Sequence, residues 1–117
     1  MPVSSTVIRE ALAQGNVGGA TRLLGHYYTL TGYVVHGEGR GSSLLGYPTA
    51  NIAADGSVVI PMDGIYATWV YVGKERYQAA TSIGVRPTFG GRERTIEAFL
   101  LDFQGDLYDK KLRLEFV

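Results

Sequence analysis

The sequence predicts a mainly β fold, five or six antiparallel strands forming a barrel or sandwich, with short helices ahead of them. Three observations carry this. From Tyr27 onward the segments are rich in Tyr, Val and Thr, residues that suit a pleated, half-buried surface. Turn signals recur between these segments and no helix-length pattern separates them, which argues against a parallel sheet. Glycine makes up 16 of the 117 residues, about twice its usual ~7% share, and much of the excess falls at the turns, where it accepts positive φ freely.

Ser4, Ser5 and Thr6 offer N-cap oxygens to a first helix, with Ile8, Leu12 and the aliphatic stem of Arg9 at helical spacing and Gly15 as its stop. Asn16 is placed to cap a second short helix that carries Val17, Ala20, Leu23 and Leu24 and ends at Gly25. Residues 1 to about 24 read as a lead-in rather than a domain. Tyr27 to His36 is the first strand. Gly64 to Gly73 runs to Lys74-Glu75 and Arg76 to Ser82 returns, a hairpin. Arg86-Pro87-Thr88-Phe89 reads as a turn carrying an exposed cation. Thr95 to Phe103 and Leu107 to Val117 read as a second hairpin around Gln104-Gly105-Asp106.

Composition narrows function. The apolar share of 45% against 19% charged residues suits one folded domain. Eleven basic and eleven acidic residues cancel, which argues against nucleic acid as a partner, because a phosphate-backbone grip needs clustered positive charge. Without cysteine there is no disulfide, thiolate nucleophile or thiolate zinc site, a composition suited to the reducing cytoplasm. No apolar run approaches the ~20 residues of a membrane span, and no signal-peptide pattern opens the chain, so no membrane partner is expected.

Three features carry chemistry. Gly37, Gly39, Gly41 and Gly46 fall within ten residues that also hold Arg40, leaving backbone N–H groups open to close approach by phosphate. Gly41 to Gly46 has the spacing of a Walker loop, but Tyr47-Pro48 replaces its Lys-Ser/Thr, and no strand-helix-strand unit surrounds it; read alone, the glycines are better explained by a mobile loop without ligand. In Pro48-Thr49-Ala50-Asn51 an extended backbone puts a hydroxyl and an amide carbonyl on one face, an oxygen pair that suits magnesium shared with phosphates. The alternative is a turn in which both side chains bond local backbone. Glu97 shares a strand face with Phe99, Leu101 and Phe103, while Ile96, Ala98 and Leu100 take the other, so both faces read as buried. A carboxylate there is either paired, with Arg86, Arg92 or Arg94, or functional, orienting a hydroxyl and accepting its proton. His26 reads as a helix-end surface residue and His36 as a hairpin-end residue near the glycine loop.

The order of these segments resembles the riboflavin kinase family, in particular the kinase half of the bifunctional riboflavin kinase/FMN adenylyltransferases. The matching pieces are Gly32-Tyr33-Val34-Val35-His36-Gly37, Gly41 through Ile52 with its Tyr47-Pro48-Thr49-Ala50-Asn51, and Asp63-Gly64-Ile65-Tyr66-Ala67. Ser82-Ile83-Gly84-Val85-Arg86-Pro87-Thr88-Phe89, Thr95-Ile96-Glu97 and Leu101 through Tyr108 follow. The likeness spans Gly25 to Val117 and implies a six-stranded Greek-key barrel over 25–117. By its motif, Thr49 and Asn51 hold Mg2+ and the ATP phosphates, the loop from Gly37 to Gly46 covers the nucleotide, and Glu97 is the catalytic base. ATP phosphorylates the 5′-hydroxyl of riboflavin, giving FMN and ADP. The flavin ring is expected on apolar and aromatic walls, with no residue assigned to them.

Ser4-Ser5-Thr6-Val7-Ile8-Arg9 also resembles the motif that closes the adenylyltransferase domain and contacts ATP phosphates there. Residues 1–24 are expected to be the tail and linker of that domain, whose other motifs are absent, so this chain alone is not expected to make FAD. Two departures stand out. Asp109 replaces the glycine that usually follows Tyr108, and the family continues past the position of Val117 into an arginine-bearing segment and a C-terminal helix. The competing reading is a non-catalytic flavin- or nucleotide-binding module, or an inactive fragment of the bifunctional enzyme.

Overall fold

In the computed structural model, which describes residues 5–35, 49–54, 59–103, 105, 107 and 109–117, two helices precede six strands. Helix α1 (Ser5–Ala13) buries Leu12, and α2 (Val17–Leu24) buries Val17 and Ala20. The Asn16 side chain accepts the Gly19 N–H at 2.9 Å, and Gly25 ends α2 with φ at 83°, the cap pair expected of a short helix. The Met62 N–H bonds the Leu12 carbonyl at 2.9 Å, tying α1 to the segment that leads into the third strand.

The strands are β1 (Tyr28–Val35), β2 (Thr49–Ala54), β3 (Gly64–Val72), β4 (Glu75–Thr88), β5 (Gly91–Leu100) and β6 (Lys111–Phe116). They close a barrel in the order β1-β2-β5-β4-β3-β6, and every neighbouring pair is antiparallel. Alternation sends Leu30, Val34, Ala50, Val70, Ala98, Leu100, Leu112, Leu114 and Phe116 into the interior, each at most 1% exposed. Two hydroxyls join them: Thr68 and Thr81 bond each other at 2.8 Å, and the Thr68 hydroxyl also reaches the Ala79 carbonyl, so neither is left unpaired in an apolar core. Gly32 lets β1 and β2 approach closely, since a Cβ there would stand 2.5 Å from the Ala53 carbonyl oxygen.

The β3–β4 hairpin forms as expected, turning at Gly73-Lys74. The second expected hairpin does not. Strand β5 pairs with β2 and β4, while β6 pairs with β1 and β3. Gln104 and Asp106 of the expected turn lie outside the described residues, and β5 and β6 are not neighbours in the barrel. Period-2 alternation reports which face is buried and carries no record of which strand lies alongside. Arg86-Pro87-Thr88 likewise is no turn: it continues β4 opposite β5, and the chain reverses at Phe89-Gly90.

Asp102 and Asp109 adopt positive φ, 59° and 66°. At Asp109 the conformation lets its N–H bond the Val34 carbonyl at 3.0 Å while the Val34 N–H bonds the Lys110 carbonyl at 2.9 Å, feeding the chain into β6. An L-residue enters this region at a cost of ~1 kcal/mol that glycine avoids, Asp paying somewhat less. Asp109→Gly is therefore expected to raise stability by about 0.5 kcal/mol, read as a higher urea midpoint; a lower midpoint would mean that the Asp109 side chain stabilises this corner.

Candidate active site

Strand β2 begins at Thr49. Ala50 and Ile52 turn inward, 0% and 7% exposed, and Thr49 and Asn51 lie half-buried on the outer face. Strand β5 behaves alike: Ile96, Ala98 and Leu100 are buried, and Thr95, Glu97 and Phe99 are half-buried outside. The expectation that both faces of β5 are buried is corrected here, because a barrel strand has one face in the core and one at the surface.

Cross-strand register assembles the site. Asn51 stands opposite Glu97, Glu97 opposite Ser82, and Ser82 opposite Ile65. The adjoining row runs Thr49, Phe99, Ala80, Ala67. With neighbouring strands ~4.8 Å apart, Glu97 lies one strand from the amide of Asn51 and one strand from the hydroxyl of Ser82. Thr49, Asn51 and Glu97 therefore share one outer surface, joined from two separate pieces of sequence.

None of these three side chains is hydrogen-bonded or ion-paired to a described residue. Arg86 is committed to Glu93, with nitrogen–oxygen distances of 2.9 and 3.2 Å. Arg94 is committed to Asp63 at 2.8 Å and to the Pro61 carbonyl at 2.6 Å. Arg92 makes no salt bridge to Glu97 either. The ion-pair alternative for Glu97 thus fails among the described residues. The local-turn alternative for Thr49 and Asn51 fails as well, because both lie in a paired strand. Among the described residues no three His, Asp or Glu gather as a metal cluster; a hydroxyl and an amide oxygen on one half-buried face remain a donor pair that fits magnesium completed by phosphate oxygens.

Gly37, Gly39, Gly41 and Gly46 lie outside the described residues, as does His36. Val35, the last described residue before them, is paired with Asn51, so the segment starts and ends beside the donor pair. His26 is exposed at the end of α2, its Nδ1 2.8 Å from the Tyr27 carbonyl, the surface role expected.

Sequence reasoning missed a groove of about 730 Å³ on the outer face of β3 and β4, walled by Ile65, Ala67, Trp69, Phe99 and Leu101, with Ser82 on the side toward Glu97. The signal was present: Ile65, Ala67 and Trp69 alternate outward along β3, as Ala80 and Ser82 do along β4. The Arg76 guanidinium lies 4.0 Å from the Trp69 ring centroid and holds the indole in place. Nearby, the Tyr66 hydroxyl donates to the Met62 carbonyl; burial pushes its pKa up, with the Arg94 charge opposing. Burial likewise raises the pKa of Tyr28, whose hydroxyl donates to the Val59 carbonyl. Both phenols are neutral donors at physiological pH.

A carboxylate unpaired among the described residues, between an oxygen donor pair and an apolar groove on a small closed barrel, suits the chemistry of a small-molecule transferase. The particular family is shown by comparison. The model of the family described as Flavokinase: Riboflavin kinase matches residues 24–117, and the chain belongs to that family. It is 38% identical to the bifunctional riboflavin kinase/FMN adenylyltransferase of Bacillus subtilis, over 97% of this chain and 36% of that protein. To the proteins of the same name from Escherichia coli K12 and Pseudomonas fluorescens it is 39% and 41% identical, over 96% and 97% of this chain and 36% of each. The chain thus spans about a third of the length of these relatives. A solved chain described as a macrolide-efflux protein from Streptococcus pneumoniae superposes with a TM-score of 0.87 at 38% identity, covering 97% of this chain and 37% of that one. That description names a different activity from the one the relatives carry; the likeness itself is one of fold and sequence. No described helix is long and apolar enough to cross a membrane.

Proposed function

We propose that this chain is the riboflavin kinase part of a flavin-cofactor enzyme, transferring the γ-phosphoryl group of ATP to the 5′-hydroxyl of riboflavin. The observation that carries the reading is the row Asn51–Glu97–Ser82, which sets a carboxylate with no partner among the described residues between the oxygen donors and the apolar groove. Thr49 and Asn51 hold Mg2+ and the ATP phosphates, with Gly37, Gly39, Gly41 and Gly46 supplying backbone N–H groups to the nucleotide. When bound, the ion neutralises charge on the phosphates. Glu97 orients the 5′-hydroxyl and takes its proton as the oxygen bonds to the γ-phosphorus. The bond from that phosphorus to the β,γ-bridging oxygen breaks, leaving ADP and FMN. The isoalloxazine ring stacks in the groove against Trp69 and Phe99, whose ring surfaces and the groove's volume suit a drug-sized aromatic ligand.

The same reading makes 1–24 the tail of an FMN adenylyltransferase domain joined to the barrel of 25–117, acting in the cytoplasm. It is supported by the two-activity names of relatives that extend well beyond the matched region. Incubating the protein with riboflavin and Mg-ATP is expected to yield FMN and ADP in equal amounts by liquid chromatography. Saturable quenching of riboflavin fluorescence without FMN would instead favour the non-catalytic binding module. With neither quenching nor product, both readings fall.

A further inference from the structure

The kinase reading leaves Ser82 without a role, yet its place is specific. It is half-buried on the outer face of β4, stands directly across from Glu97, and also lines the groove. Its hydroxyl is bonded to no described residue, although one strand away Thr95 reaches the Gly84 carbonyl and Arg86 is tied to Glu93. The side chains turned outward beside it toward the groove, Ile65, Ala67, Ala80 and Phe99, are apolar, and the polar Gln78 of the groove wall lies four residues further along β4. Among the described residues, Ser82 is the polar group that stands between the groove and the carboxylate.

We infer that Ser82 is a specificity-determining residue that hydrogen-bonds the polyhydroxyl side chain of the acceptor and selects flavins that carry one. This rests on the kinase reading and deepens it. From Glu97 to the β3 wall of the groove is two strand spacings, about 10 Å. A five-carbon chain with its reactive hydroxyl at Glu97 and its aromatic ring between Trp69 and Phe99 starts one strand from Ser82 and runs alongside it toward Ala80. A hydroxyl both donates and accepts, so it can pair with a secondary alcohol of that chain in either sense. A site that pairs with a substrate hydroxyl also rejects an analogue lacking it, because the protein group is then left desolvated and unpaired.

The test compares riboflavin with lumiflavin, the same ring bearing a methyl group in place of the polyol, by fluorescence titration. Wild-type protein is expected to bind riboflavin more tightly. Ser82→Ala should weaken riboflavin about three- to tenfold, the loss of one hydrogen bond, and leave lumiflavin within twofold. Ser82→Cys keeps the volume with a much weaker donor and should behave as Ser82→Ala does, which separates the hydroxyl from packing. In turnover, KM for riboflavin rises by the same factor while KM for Mg-ATP holds. Equal weakening of both flavins overturns the inference and makes Ser82 part of the wall. A fall in kcat with an altered pH profile and unchanged riboflavin affinity overturns it too, assigning Ser82 to the support of Glu97. Because the titration needs no phosphoryl transfer, a failure of the kinase reading shows separately, as absence of FMN from the wild-type protein.

Discussion

Glu97→Gln is expected to lower kcat for riboflavin phosphorylation by about 10²–10⁴-fold, the usual worth of a positioned general base, while the barrel stays intact. Glutamine matches the carboxylate in size and still accepts a hydrogen bond through Oε1, so what the substitution removes is the negative charge and the capacity to take a proton. The structural cost should be slight, because Glu97 is half-buried and among the described residues makes no ion pair that the change would break. Its neighbours across the strands, Asn51 and Ser82, are uncharged, so no lone cation is left facing a neutral amide. KM for Mg-ATP and for riboflavin should therefore move by less than about threefold, a pattern that marks loss of an interaction made in the transition state rather than in binding. The measurement is steady-state kinetics with thermal unfolding as control. A kcat within tenfold of wild type at unchanged stability would remove Glu97 from the chemistry and leave positioning and charge neutralisation to do the whole task.

The parts of this arrangement readable in the sequence are those that depend on local order. Strand alternation placed Thr49 and Asn51 on one face, and the caps at Asn16 and Gly25 bounded α2. The partnership of β6 was not readable. Leu112, Leu114 and Phe116 announce a strand with one buried face, but nothing in their spacing distinguishes β5 from β1 and β3 as neighbours. That choice is made by closure, because a barrel without free edges needs one strand to join the two it leaves open. Glu97 was half-readable for the same reason. Its apolar neighbours Phe99 and Leu101 pointed to a buried face, and only the assembled barrel shows that they wall a surface groove. Ser82 carried no signal of its own, being one of several serines until β4 and β5 came into register.

Closure also sets the largest expected effect on stability. Phe116 is fully buried and sits at the seam, opposite Tyr28 of β1 on one side and Thr68 of β3 on the other. Its ring meets Tyr66 edge-on at 5.4 Å between centroids and Tyr28 at 6.2 Å, geometries that add to the area buried. Phe116→Ala empties that volume where the surrounding strands are held by their ladders and cannot collapse into it, so the cost is expected at about 3–5 kcal/mol. Against a total at the low end of the typical 5–15 kcal/mol, this leaves little net stability at 37 °C. Phe116→Leu keeps most of the volume and should cost on the order of 1–2 kcal/mol. The next residue couples this to the site: the Val117 N–H bonds the Ala67 carbonyl at 3.0 Å, and Val117 and Ala67 both line the groove. Phe116→Ala should therefore weaken flavin binding even in the fraction that stays folded, whereas Glu97→Gln should not. Urea unfolding, read beside riboflavin titration at low temperature, separates the two variants. A loss below about 1 kcal/mol for Phe116→Ala would mean that the barrel is held shut elsewhere than at the β1–β6–β3 seam.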